Sequence, residues 1–123
     1  MKKALLFLSV SISLFLVNSC YYDNEETLYP NPVACDTTDV RFSSSIAPLL
    51  QTNCNGCHSK ASPSGNIVTD NYTDVKTIVD NGKLSGAINH KPQFSAMPKG
   101  GNKLSNCELA KFRIWIEKGA LNN

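Results

Sequence analysis

The apolar positions of this chain form one long block at the start and three short stripes later, with breaker-rich stretches between them. Ala4 to Val17 is apolar except for serines, and Lys2 and Lys3 precede it. The first later stripe is Ile46, Leu49 and Leu50, at helical spacing within Phe42 to Asn53. Ser43 to Ser45 offer N-cap oxygens there, and Pro48 sits in the first turn, where a missing N–H costs little. The second stripe is Val75, Ile78 and Val79, with Thr73 as cap and Asn81-Gly82 as a left-handed stop. The third is Leu109, Phe112 and Ile116. It follows the S-x-x-E capping pattern of Ser105 and Glu108 and ends at Gly119. Trp115 extends that face to one side, while Lys111, Arg113, Glu117 and Lys118 take the solvated positions. Ser59 to Asn71 reads as loop, broken by Pro63 and Gly65. Lys83 to Lys103, with Gly86, Pro92, Pro98, Gly100 and Gly101, reads as irregular. With no strand-rich segment and no repeat, the pattern predicts a small all-α domain of about three core helices whose loops enclose something.

The leading block differs in kind. A basic start, a short apolar centre and small residues after it describe a secretory signal peptide over residues 1–19. Crossing a bilayer as a helix takes about 20 apolar residues, and this run is shorter. Val17-Asn18-Ser19-Cys20 resembles a bacterial lipobox, with Asn18 less typical at its position, so Cys20 is expected to be acylated and to become the mature N-terminus. Ordinary cleavage that leaves Cys20 as a free exported thiol is the alternative. Tyr21 to Val33 is acidic at first (Asp23, Glu25, Glu26) and then carries Pro30 and Pro32. Residues 20–34 therefore read as a tether and 35–123 as the domain. Tyr21 is not the aspartate that retains some lipoproteins at the inner membrane, and the acidic run resembles surface-export signals. The expected location is the outer membrane, facing the periplasm or the outside, ahead of the inner membrane.

Charge and cysteine content narrow the chemistry. The chain has 12 basic and 10 acidic residues, and Lys2 and Lys3 belong to the leader, so the remainder is balanced. No global basic surface points to nucleic acid, which is excluded as an expected partner. Five cysteines are present. Cys54-Asn55-Gly56-Cys57-His58 reads C-x-x-C-H, the pattern for covalent attachment of one c-type haem. Two thiols on one helical turn can each add to a vinyl group on the same porphyrin edge, and the following histidine is placed to reach the iron. A zinc site would need a second ligand pair, which the chain lacks, and a thioredoxin-like pair would need alternating strands and helices. With Cys20 assigned to lipid, Cys35 and Cys107 remain as an even pair in an oxidising compartment, and a disulfide is expected; two separate buried thiols are the alternative.

His58 supplies one axial ligand, and the opposite one sets the chemistry. Met97, in Ser95-Ala96-Met97-Pro98-Lys99-Gly100-Gly101, is the only methionine besides the initiator. Its thioether is a soft ligand, and a His/Met pair raises the reduction potential. His90 is the rival distal ligand, and an open iron is the third option.

The signal peptide, CNGCH after Ile46-Ala47-Pro48-Leu49-Leu50, the distal SAMPKGG loop and a final helix with Trp115 together resemble the monohaem cytochrome c family over roughly Asp39 to Ala120. The resemblance implies thioethers at Cys54 and Cys57, His58 as proximal and Met97 as distal ligand. It also implies that the first and last helices cross, bringing Ile46 and Leu50 near Phe112 and Trp115. The implied function is electron transfer by a membrane-tethered, exported protein, not enzyme catalysis. Redox proteins are the expected partners, with Lys60, Lys99 and Lys103 as docking charges. A peroxidase-like or gas-binding haem protein, or a cytochrome subunit of a dedicated oxidoreductase, are the competing functions.

Overall fold

The computed structural model describes residues 35–123; the expected signal peptide, Cys20 and the expected tether lie outside the described residues. The domain is all-α. A π-wound turn, Phe42–Ile46, runs into α1 (Ala47–Asn53), followed by α2 (Asn55–His58), α3 (Tyr72–Asp80), α4 (Lys83–Ile88) and α5 (Asn106–Glu117). Extended pairing among the described residues is limited to Ser62 and Pro63 folding back on Ser59 and His58. No described helix is long and apolar enough to cross a membrane.

The helix starts differ from expectation in two places. Arg41 is extended and the chain turns helically from Phe42, so Ser43 to Ser45 fall inside the first turn; the Arg41 side chain does not cap it, and the side-chain oxygen and backbone carbonyl of Asn123 accept from the Phe42 and Ser43 N–H groups, each at 2.9 Å. A cap must precede the turn whose N–H groups it satisfies, and these serines come too late. In α3 the cap is Asn71, not Thr73: the Asn71 side-chain oxygen accepts from the Asp74 N–H at 3.0 Å. Thr73 sits exposed in the first turn. By contrast, α5 begins as its sequence predicts. The Ser105 hydroxyl accepts from the Glu108 N–H and the Glu108 carboxylate accepts from the Ser105 N–H, a closed capping box.

α4 was not expected, because Gly86 and the nearby prolines read as breakers. Gly86 is instead a packing residue. A Cβ built on it would lie 2.2 Å from the Phe94 ring, so only glycine lets the following loop lie down on the helix. Gly82, at φ +75°, separates α3 from α4 as the Asn-Gly stop predicts.

The core is built from Val40, Ile46, Leu50, Val75, Ile78, Leu84, Ile88, Leu104, Phe112, Trp115 and Ala120. Trp115 is only 1% exposed and lies at the centre rather than at one side, while Leu109 and Ile116 are only partly buried. Its indole N–H donates to the Leu121 carbonyl at 2.9 Å, so the ring is buried with its polar atom satisfied. Phe42 lies against Trp115 and meets Tyr72 edge-on, with centroids 5.6 and 5.1 Å away. Asn53, at the end of α1, donates to Glu108 at the start of α5 at 3.2 Å. With Phe42 near the end of α5 and Asn53 near its start, the first and last helices run antiparallel across one another. The Cys35 and Cys107 sulfurs are 2.04 Å apart, at disulfide-bond distance, joining the start of the domain to the first turn of α5.

Candidate haem-attachment site

Cys54 is the pivot of the motif. Its backbone departs from the helix of α1 at φ −126°, and its carbonyl then accepts from the N–H groups of Cys57 (3.1 Å) and His58 (2.9 Å). That single turn carries Cys54, Cys57 and His58 together. Burial separates the two thiols. Cys57 is exposed, whereas Cys54 is part-buried and its thiol is pushed up to about 11 by burial.

The turn is held from behind by Thr69, which is 4% exposed. The Thr69 N–H donates to the His58 carbonyl at 2.6 Å. The Asn55 amide satisfies its surroundings with its nitrogen toward Thr69, donating to the Thr69 hydroxyl at 2.8 Å and to the carbonyls of Leu50 and Thr69. The hydroxyl, accepting from Asn55, is then free to donate to the His58 carbonyl at 3.1 Å. Asn55 therefore has a structural task that the C-x-x-C-H spacing alone did not suggest.

The His58 ring is oriented by a backbone group. Its Nδ1 lies 3.0 Å from the Ser64 carbonyl. A carbonyl can only accept, so Nδ1 carries a proton, and in the neutral ring Nε2 is the nitrogen with the lone pair. Ser64 is presented by a loop that turns at Gly65 (φ +64°) and is closed by the Lys60 N–H donating to the Asp70 carboxylate at 2.7 Å. That bond holds the Asp70 carboxyl below its ordinary range.

Met97 is held with equal care on a separate part of the fold. Its N–H donates to the Ala87 carbonyl of α4 at 3.1 Å, and its own carbonyl lies 2.9 Å from His90 Nε2. The proton of His90 is therefore on Nε2, the opposite tautomer to His58. Phe94, seated on Gly86, fastens the middle of the same loop. No hydrogen bond among the described residues links this cluster to the CNGCH turn.

Sequence reasoning named the candidate donors and missed the groups packed around them: Ser64, Thr69, Ala87, Gly86 and Phe94. Ser64 and Ala87 act through backbone carbonyls, for which residue identity carries no signal. Two cavities open elsewhere. One of about 540 Å³ lies between α4 and α5 against Ile88, Leu109, Phe112 and Ile116. Another of about 390 Å³ lies beside Phe42, Pro48, Asn55 and Thr69. Neither is lined by Cys54, Cys57, His58, His90 or Met97.

Lys60, Lys99 and Lys103 are exposed. Both arginines of the chain form exposed ion pairs, Arg41 with Asp39 at 2.8 Å and Arg113 with Glu117 at 2.9 Å. The donor set suits a haem: two free thiols and a histidine whose Nδ1 is held by a carbonyl on one turn, and a thioether on an anchored loop. No family model, curated protein or solved structure matches this chain.

Proposed function

We propose that this protein is a tethered electron carrier, a monohaem cytochrome c with thioethers at Cys54 and Cys57 and axial ligands His58 and Met97. The observation that carries the reading is the Ser64 carbonyl on His58 Nδ1, which leaves Nε2 as the free donor on the same turn as both thiols. When bound, the haem supplies a one-electron iron couple. The chain's own residues do the rest. Thr69 and Asn55 fix the turn that carries the thiols and His58. The Ser64 carbonyl fixes the tautomer and raises the basicity of Nε2. His90 holds its Nε2 proton toward the Met97 carbonyl and so does not offer that nitrogen to a metal, which favours Met97 as the distal ligand. With both arginines in surface ion pairs, no described group pairs an arginine with a distal histidine for peroxide cleavage, which favours a carrier over a peroxidase-like protein. Cys20 would join the domain to a membrane through the tether. Exposed Lys60, Lys99 and Lys103 would dock redox partners in weak, salt-sensitive encounters.

Absorption spectra of the full-length protein matured with haem test the reading. A covalently bound haem that resists acid-acetone extraction, and a Met–Fe(III) charge-transfer band that Met97→Ala removes, are the expected results. Retention of the band in Met97→Ala, or extractable haem, refutes the proposal.

A further inference from the structure

We propose that His90 is a positioning residue that clamps the Met97 loop shut through its Nε2–H, and that loss of this bond opens the sixth position of the iron to outside ligands. The inference rests on the His58/Met97 reading above. Met97 has two backbone polar atoms, and each is taken by a different anchor. Its N–H goes to Ala87 within α4, and its carbonyl goes to His90 just beyond the end of that helix. His90 is held at φ +56°, in the left-handed region that a histidine seldom occupies. That conformation follows the end of α4 and accompanies a side chain that reaches across seven positions to Met97. The main-chain N–H of His90 is itself used, donating to the Ala87 carbonyl at 3.1 Å. Ala87 thus accepts from both ends of the loop, and the His90 ring closes the ring of contacts.

The side chain of Met97 is free of these bonds. Its sulfur can serve as a ligand while its backbone is tethered to α4. A thioether is a weak ligand, so the distance it keeps from the iron depends on the loop rather than on the metal bond alone. In a two-state description the loop is closed or open, and an external ligand binds only the open fraction. One net hydrogen bond of ordinary strength shifts that equilibrium by about fivefold. Glutamine can place an amide N–H where His90 Nε2 stands, whereas phenylalanine fills the ring volume without a donor. Both substitutions meet the same left-handed backbone, so their difference reports the bond.

The test is titration of the oxidised holoprotein with imidazole, followed by loss of the Met–Fe(III) charge-transfer band, in the parent, His90→Phe and His90→Gln. The expected result is imidazole affinity about fivefold higher in His90→Phe and close to the parent in His90→Gln. Loss of the band in His90→Phe before any imidazole is added, with the band kept in His90→Gln, also supports the clamp. Equal affinity in all three proteins overturns it, and so does equal weakening in both variants. If the parent itself shows no such band and its spectrum changes on substitution of His90 but not of Met97, the His58/Met97 reading fails along with the clamp. A normal parent band with unchanged variants removes only the clamp.

Discussion

Ser64 and Met97 each present a carbonyl to a histidine, and the two carbonyls engage opposite ring nitrogens. The same residue type is thereby left with different chemistry, a free Nε2 at His58 and a donating Nε2 at His90. Gly86 shows the same dependence on a single neighbour. In an exposed helix interior, alanine would be favoured over glycine by about 1 kcal/mol. Here the Phe94 ring would lie 2.2 Å from the new Cβ, and the overlap decides the sign. Gly86→Ala is expected to destabilise the protein by about 1–3 kcal/mol in urea unfolding. The penalty should largely vanish in the Gly86→Ala/Phe94→Ala pair relative to Phe94→Ala alone. Additive effects would show that Phe94 is not what excludes the side chain.

At the scale of elements, caps determine where helices begin. Asn71 and Thr73 are both good capping residues two positions apart, and the structure selects Asn71 by its bond to the Asp74 N–H. Asn71→Ala should cost about 1 kcal/mol in thermal or urea unfolding, with Thr73→Ala close to neutral. The reverse order would restore the later start. For α5, burial raises the Glu108 carboxyl, but donors from Ser105 and Asn53 outweigh it and hold the group below its ordinary value. A depressed carboxyl contributes stability that is present above the ordinary carboxylate range and lost as pH falls through the folded value. Glu108→Gln keeps the shape of the box without the titration, so its stability should fall less steeply than the parent's as pH drops below about 4.5. Parallel curves for the two proteins would remove Glu108 from the acid response.

At the scale of the molecule, the α1–α5 crossing and the Cys35–Cys107 link do complementary work. The crossing buries Ile46, Leu50, Phe112 and Trp115 in one cluster. The Cys35–Cys107 bond spans a sequence separation of 72 residues. Closing a loop of that size removes unfolded-state freedom worth about 4 kcal/mol. A Cys35→Ser/Cys107→Ser double variant is expected to lose stability of that order in denaturant titrations, with little change in the absorption spectrum of the haem proposed above. Unchanged stability would mean that the pair carries no constraint. The Phe42 ring and the carbonyls of Ala120 and Leu121 extend the same closure, since Tyr72 donates to Ala120 at 3.0 Å and Trp115 to Leu121.

The amino-acid sequence by itself determined what depends on neighbours in the chain. CNGCH places two thiols and a histidine on one turn, Ser105 and Glu108 close their own box, and Asn81-Gly82 ends α3, because each interaction spans only a few residues. Cysteine parity also pointed to Cys35 and Cys107 without any knowledge of their separation. The tertiary structure decided what depends on groups far apart. It chose Asn71 over Thr73 and laid Phe94 on Gly86 of α4. It moved Trp115 to the centre and left Leu109 and Ile116 beside a cavity. Above all it decided the tautomers of His58 and His90. Those were set by backbone carbonyls, which every residue carries and no residue letter reveals.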